Sequence, residues 1–479
     1  MGQITAEETM PRKAKIVCTI GPASESEVML ERLIKAGMNV ARLNFSHGTH
    51  QEHLRKIKRI RKVARRLDAP VAILQDLQGP KIRIGKFENP PVLLNPGDLF
   101  TITTDDILGN EHIVSTSYKK LADDVEPGDF ILVNDGLIKL KVVEKKAPDI
   151  FCEVVNGGSL YDRRGINLPG VKISEPSLTD KDKDDLLFGL DSGIDLVALS
   201  FVRDAESIHQ LREFMGERKV PIVAKLEKPE ALDNLDAIIE ATNIVMVARG
   251  DLGVEISAER VPVVQKQIIE KCLQAGKSVI TATQMLDSMM VNPVPTRAET
   301  SDVANAVFDG SDAVMLSGET AFGKYPLESV KMMRSIIEEA EQNETYFRFH
   351  PAEVRINQKR TFSQSVCHAA YYSSIEINAR HIIVFTETGH TAQQMSNLRP
   401  SVPILVLTGN RETYNRMALL WGVTPALIGR KIEIGKNLHM LEAYLKENKY
   451  AKKGDNLVII AGSSKEIGGT DMLRLHTVS

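Results

Sequence analysis

Eight short apolar runs, each rich in β-branched residues, start near Lys15, Asn39, Val71, Leu196, Pro221, Ile244, Ser278 and Ala313. Stretches with helical periodicity lie between most of them. Ser24 to Ala36 places Val28, Leu30, Leu33 and Ile34 on one face, and Val263 to Ala275 does the same with Val264, Ile268, Ile269 and Leu273. Strand–helix alternation means parallel strands joined by crossover helices. Eight repeats predict a closed (β/α)8 barrel of the TIM type, in an α/β protein.

The rhythm breaks once. Between Asp76 and about Asp180 the helical pattern gives way to short alternating runs and turn sequences, Asn95-Pro-Gly-Asp, Glu126-Pro-Gly-Asp and Asn134-Asp-Gly. This predicts a small all-β domain inserted after the third barrel strand, a natural lid. From about Glu344 a new alternation begins, with apolar strands at Ile382–Phe385, Pro403–Leu407 and Asn456–Ile460. It reads as an open α/β domain. The expected division is 1–84 with 169–343 for the barrel, 85–168 for the β-barrel lid and 344–479 for the C-terminal domain.

Two of the runs end abruptly in charge: Pro221-Ile-Val-Ala-Lys225-Leu-Glu227 and Ile244-Val-Met-Val-Ala-Arg-Gly-Asp251. Residues two apart on a strand share a face, so Lys225 and Glu227 point the same way. If the strands are neighbours, two carboxylates and an ammonium meet at one rim. Paired carboxylates suit a hard cation such as Mg2+. A lysine beside it suits a phosphoryl group or an enolate. The plainer alternative is a salt bridge at a strand end, but barrel enzymes build their sites at this end of the strands.

Composition narrows the partners. A net charge of -3 gives no global argument for nucleic acid or membrane binding. The basic run Arg55 to Arg66 holds eight Lys or Arg residues, yet Leu54, Ile57, Ile60, Val63, Ala64 and Leu67 thread an apolar stripe through it. It reads as the solvated face of a barrel helix. Cys18, Cys152, Cys272 and Cys367 are scattered without a CxxC pair, which fits a reducing, cytoplasmic compartment. Met1 to Ala6 lacks the apolar core of a signal peptide, and no run approaches membrane-spanning length. The single Trp421 reads as packing within the C-terminal domain.

Lys15-Ile-Val-Cys-Thr-Ile-Gly-Pro22, Asn39-Val-Ala-Arg-Leu-Asn-Phe-Ser-His-Gly48, Gly79-Pro-Lys-Ile-Arg83, Val223-Ala-Lys-Leu-Glu227, Met246-Val-Ala-Arg-Gly-Asp-Leu-Gly253, Ala282-Thr-Gln-Met285, Pro295-Thr-Arg-Ala-Glu299 and Met315-Leu-Ser-Gly-Glu-Thr320 occur in order. Together they resemble the pyruvate kinase family over nearly the whole chain. The resemblance implies a barrel, a β lid and a C-terminal regulatory domain, assembled as a homotetramer. It implies phosphoryl transfer from phosphoenolpyruvate to ADP, giving pyruvate and ATP, with Mg2+ or Mn2+ as cofactor.

Residue roles follow from the same resemblance. Glu227 and Asp251 would ligate the metal, and Lys225 would stabilise the transferring phosphoryl and the enolate. Arg42 and Arg83 would hold phosphate charge. Backbone N–H groups across Ala248, Arg249, Gly250 and Asp251 would bind the substrate carboxylate. Thr283 would lie beside the face where enolpyruvate is protonated, with Ser317 in the proton-relay neighbourhood. Asn44, His47 and Arg164 would line the nucleotide and cation side. Ser317-Gly-Glu-Thr can equally be a helix cap, and Thr283 a packed strand-end hydroxyl.

The chain departs from the family's common K+ site, an Asn, a Ser, an Asp and a Thr. Asn44, Ser46 and Asp76 are present, but Leu77 stands where the Thr is usual, and Lys81 and Ile84 replace a Glu and a Thr. The expectation is an enzyme of a lysine-containing subgroup that does not need K+, with Lys81 as the substitute charge. In the C-terminal domain, Thr386, Thr388, Gly389, His390 and Thr391 are expected to cradle the phosphate of an effector, a sugar monophosphate or AMP, closed by Gly462 to Gly468. Two other functions remain open at this stage: a metal-dependent lyase or aldolase acting on phosphoenolpyruvate or pyruvate, and a catalytically dead regulatory homologue. The lid and Arg83 argue against the first, and intact Lys225, Glu227, Asp251 and Arg42 against the second.

Overall fold

In the computed structural model, which describes residues 12–343, 361–429, 438–462 and 469–479, the eight runs form parallel strands. They are Lys15–Thr19, Val40–Asn44, Ala72–Asp76, Leu196–Leu199, Ile222–Leu226, Ile244–Ala248, Ser278–Ala282 and Ala313–Leu316. The last pairs with the first, closing the barrel. Strand parity then divides the side chains. Val17, Val40, Leu74, Val223, Met246 and Ile280 fill the interior. Cys18, Ala41, Ile73, Ala224 and Val245 face the surrounding helices. The next inward positions toward the C-terminal ends are Thr19, Arg42, Asp76, Ser200 and Lys225. The alternation that packs the barrel thus also makes its mouth polar.

Threonine caps start several helices. Thr49, Thr179 and Thr296 each accept an N–H bond from the third helical residue, whose acidic side chain returns to the cap. The family-like segment Pro295 to Glu299 is such a cap, for the helix Arg297–Phe308. The basic run lies on the helix His50–Arg66, with Ile57, Ile60, Val63 and Ala64 buried. Its outward cations pair with acids on neighbouring elements: Lys62 with Glu27 at 2.8 Å, Arg66 with Glu31 at 2.6 Å and Arg61 with Asp195 at 2.5 Å.

Strands from Val92–Leu94 to Ile166–Asn167 form a six-stranded and a two-stranded sheet around a core of their own, including Phe100, Ile102, Ile131, Leu140 and Ile150. The turn sequences act as read. The Asp98 and Asp129 carboxylates each accept from the N–H three residues earlier, both at 2.7 Å. Asp135 and Gly136, with φ of 56° and 85°, turn the chain between Phe130–Val133 and Ile138–Lys146. The one-turn helix Leu121–Asp124 was not anticipated, being too short to show periodicity.

The C-terminal sheet runs Val423–Leu427, Ile404–Thr408, His381–Phe385, Asn456–Gly462 and Thr470–Thr477. The two outermost strands escaped the sequence reading. One contains Pro425, tolerated at a sheet edge, and the other is a largely exposed antiparallel edge carrying Asp471, Arg474 and His476.

Trp421 does pack, but against the barrel rather than only within its own domain. It is 5% exposed, belongs to the cluster between barrel and helices, and lies under the Arg399 guanidinium at 4.7 Å. Beside it, Ala418 and Leu419 enter the cluster inside the barrel and close its floor. The buried Lys15 ammonium donates to the Val423 carbonyl across this junction at 2.8 Å. Among the described residues no helix is long and apolar enough to cross a membrane.

Candidate active site

The mouth is organised around two cations that share one acid. Arg42 donates through Nε to Asp76 Oδ2 at 2.6 Å, and Lys225 Nζ lies 3.2 Å from Asp76 Oδ1. Lys225 Nζ also lies 2.9 Å from Glu227 Oε1 and donates to Ser200 Oγ at 2.6 Å. Arg42 reaches in addition to Thr19 Oγ1 at 2.9 Å. These groups come from the first five barrel strands and their ends, brought together only by barrel closure.

Burial and neighbours set their charges. Burial alone would favour a neutral lysine, but Asp76 and Glu227 hold the Lys225 ammonium protonated well above its ordinary range. Burial works likewise against the Asp76 carboxylate, and Lys225 and Arg42 override it, keeping Asp76 ionised. Glu227 goes the other way. Burial pushes its carboxyl up, the negative charge of Asp251 adds to the push, and Lys225 only partly offsets it.

A buried carboxyl whose proton affinity is raised by a second carboxylate nearby forms with it a donor set suited to a divalent cation. Glu227 Oε2 is oriented by the Phe201 N–H at 2.7 Å, and Asp251 stands at the start of the helix Arg249–Ile256. No cluster of three or more His, Cys, Asp or Glu ligands occurs among the described residues. A two-carboxylate site fits Mg2+, which keeps several positions for water and substrate oxygens. The residues present therefore fit the implied metal.

The helix opening at Arg249 has no side-chain cap from Ala248. Its Gly250 N–H donates instead to Thr283 Oγ1 at 2.7 Å, and that hydroxyl donates to the Ala282 carbonyl at 2.6 Å. Thr283 and Gln284 hold φ of 70° and 54°, unusual for residues with a Cβ, so the hydroxyl is fixed there at a cost in backbone strain. The Arg249 side chain is tied down at the edge of the mouth cavity. It holds Asp302 at 2.7 Å and the Thr283 carbonyl at 2.7 Å, and so braces the loop. Ser317 precedes the helix Gly318–Ala321 but its hydroxyl does not cap it; Glu319 binds the Ser317 N–H at 2.7 Å and the Leu286 N–H at 3.1 Å.

On the opposite rim the chain enters the inserted domain. Lys81 Nζ lies 3.6 Å from Asp251 Oδ1. Arg83 is held by the Arg163 carbonyl at 3.1 Å, and Arg164 is exposed over the Tyr161 ring. Partial burial lowers the His47 pKa, and the surrounding Arg83, Lys81, Arg42 and Lys181 charges lower it further. This rim is strongly positive. Asn44 Oδ1 is taken by the Ser46 N–H at 3.0 Å. Leu77 is buried in the barrel–helix core and Ile84 in the core of the inserted domain. A cavity of about 540 Å3 opens between the rims, lined by Lys81, Asp135, Gly250, Asp251, Val254 and Gln284. Asp135 belongs to the hairpin tip, which thus reaches the barrel mouth.

Sequence reasoning missed Ser200 and Thr19. Each lies one step beyond a barrel strand's inward apolar position, so parity would have found both. The expected effector residues sit on the loop after His381–Phe385. Thr386 Oγ1 accepts from the Gly389 N–H at 2.9 Å, and Gly389 has a φ of 88° before the helix His390–Asn397. Thr388 Oγ1 accepts weakly from the His390 N–H at 3.5 Å. The Thr391 hydroxyl is buried against that of Thr470 at 2.5 Å and does not face the loop's open side. Residues 463–468, expected to close this site, lie outside the described residues.

Comparison with known proteins gives a consistent result. The family described as pyruvate kinase, barrel domain, matches residues 11–330, and pyruvate kinase, alpha/beta domain, matches 364–476. A protein named pyruvate kinase from Staphylococcus saprophyticus is 46% identical over 476 residues, covering 98% of this chain and 80% of that protein. One of the same name from Geobacillus stearothermophilus is 46% identical over 479 residues, covering 98% and 81%. One from Staphylococcus aureus is 44% identical over 475 residues, covering 98% and 80%.

Proposed function

The chain belongs to the pyruvate kinase family, and on that premise we propose how its residues divide the transfer of a phosphoryl group from phosphoenolpyruvate to ADP, the last step of glycolysis. The observation that carries the assignment is the continuous chain Arg42–Asp76–Lys225–Glu227 at the barrel mouth, with Asp251 beside it. Lys225 stays charged and meets the negative charge that moves from the phosphoryl oxygens to the enolate. Arg42 supplies a planar fork for phosphate oxygens, its orientation set by Asp76 and Thr19. Glu227 and Asp251 would hold Mg2+ or Mn2+, which when bound neutralises phosphoryl charge and polarises the enolate oxygen.

The first N–H groups of the helix Arg249–Ile256 receive the substrate carboxylate. Thr283 positions the Gly250 N–H and stands beside the carbon that is protonated, with Ser317 in the relay. Asn44, His47, Arg83 and Arg164 form the nucleotide side, beneath a lid spanning about residues 85–168 that is hinged near Ile84-Gly85 and Leu168-Pro-Gly170. The barrel is then 1–84 with 169–343, and the regulatory domain 344–479. The test is a coupled assay of ADP-dependent pyruvate formation. A lyase, an aldolase or an inactive homologue would give none.

Lys81 takes the place of K+. Three features support this: its ammonium is beside Asp251, Leu77 is committed to the core, and the Asp76 oxygens already serve Arg42 and Lys225. A phosphorylated effector, a sugar monophosphate or AMP, binds the 386–391 loop. Thr386, Thr388, Gly389 and His390 are the groups on its open side, and Thr391 acts from within. Screening such metabolites at low phosphoenolpyruvate tests this, and a flat response to all of them would refute it. The working assembly is a cytoplasmic homotetramer, with no nucleic-acid or membrane partner, to be tested by sedimentation.

A further inference from the structure

One buried carboxylate oxygen joins the inserted domain to both proposed metal ligands. Glu255 Oε1 accepts from Asn167 Nδ2 at 3.0 Å and from Lys228 Nζ at 2.6 Å. All three side chains are buried: Asn167 is 8% exposed, Lys228 4% and Glu255 7%. Each sits on a different element. Asn167 ends the strand Ile166–Asn167, which pairs with Phe130–Val133, the strand that leads into the hairpin tip at the mouth. Lys228 directly follows Glu227. Glu255 lies on the helix Arg249–Ile256, four residues after Asp251, hence one turn along the same face.

We propose that Asn167, Glu255 and Lys228 are positioning residues that tie the lid's exit strand to the spacing of Glu227 and Asp251, so that lid position and metal affinity are coupled. The physical reason is the cost of breaking the junction. Separating Lys228 from Glu255 would leave buried, unpaired charge, so the helix and the Glu227 segment move together. Asn167 adds the inserted domain to that unit through a hydrogen bond to a charged group, stronger than a neutral one. Among the described residues Glu255 Oε2 is buried with no hydrogen-bond partner, so within them the carboxylate depends on these two donors. A shift of the lid strand therefore changes how Glu255, and with it Asp251 one turn away, is held.

This rests on the assignment of Glu227 and Asp251 as metal ligands, and the experiment separates the two. Mn2+ binding to the full chain without substrates is measured by water-proton relaxation, for the unmodified protein, Asp251→Asn, Asn167→Ala and Glu255→Gln. Groups that hold a metal ligand in place typically account for about 10–100-fold in metal affinity. Asn167→Ala, one bond further out, is expected to weaken Mn2+ about tenfold, while turnover at saturating Mn2+ changes much less. Glu255→Gln keeps an acceptor for both donors but leaves the buried Lys228 charge unpaired, and should fall between Asn167→Ala and Asp251→Asn. Mn2+ binding that survives Asp251→Asn would overturn the ligand assignment. Binding lost in Asp251→Asn but unchanged in both other variants, even with a lowered melting temperature, would overturn the coupling alone.

Discussion

The Lys81 ammonium lies 3.6 Å from Asp251 Oδ1, joining the chain's entry into the inserted domain to the start of the helix Arg249–Ile256. Both side chains are about one-third exposed, at 31% and 28%. A pair this open adds little to stability. What it contributes is a fixed positive charge at the rim where the chain enters the inserted domain.

Turnover should therefore be nearly the same in K+ and in tetramethylammonium. Lys81→Glu should lose most activity without K+ and recover part of it when K+ is added. Strong K+ activation of the unmodified enzyme would show that Lys81 does not act as the substitute.

Removing metal charge should be partly reversible. Asp251→Asn or Glu227→Gln should shift the Mg2+ dependence of the rate to higher concentration, with some activity regained at high Mg2+. A variant with an unchanged Mg2+ titration would remove that residue from the metal site.

Part of this site was legible because barrel geometry obeys parity, which placed Lys225 and Glu227 on one face. Arg42 and Asp76 were singled out by the family resemblance instead, and they lie at inward positions of their own strands. What parity alone could not give was the sharing of Asp76 by Arg42 and Lys225, which depends on closure of the barrel. The buried Asn167–Glu255–Lys228 junction was also hidden, since 61 residues separate Asn167 from Lys228 and no local pattern connects them. Trp421 could be recognised as packing, but beside Arg399 it also packs into the barrel–helix core, so the junction between domains was invisible in its neighbourhood. The edge strand Val423–Leu427 was obscured by Pro425.

That junction makes a stability prediction. Trp421→Ala removes a buried ring shared by Arg399 and the barrel–helix core, and should cost about 3–5 kcal/mol. As the only tryptophan, Trp421 should also shift its emission to the red when urea separates the C-terminal domain from the barrel. Emission that stays blue until the barrel itself unfolds would show that the two regions do not separate.

Lys15 gives a pH dependence at the same junction. Burial lowers its pKa from 10.5 to about 7, and the neighbouring Arg12 charge adds to the effect. The unfolded chain keeps this proton up to its ordinary pKa, whereas the folded chain releases it near 7. Between those values unfolding takes up a proton, so stability rises with pH. Urea midpoints should increase from pH 7 to about 7.5, before unfolded cysteines, with an ordinary pKa of about 8.5, ionise appreciably. The increase should vanish in Lys15→Met, whose midpoint at pH 7 should be higher than that of the unmodified protein. An unchanged slope in the variant would assign it to other groups.

The central claim is that the charged chain at the barrel mouth performs the phosphoryl transfer, and Lys225 is its pivot. The direct measurement is ADP-dependent pyruvate formation by the unmodified chain and by Lys225→Met, with circular dichroism confirming that the variant is folded. Loss of such a charge-stabilising donor costs about 2.7–4 kcal/mol, so turnover should fall roughly 10^2–10^3-fold. Near-normal turnover in folded Lys225→Met, or no ADP-dependent pyruvate from the unmodified chain, would contradict the account.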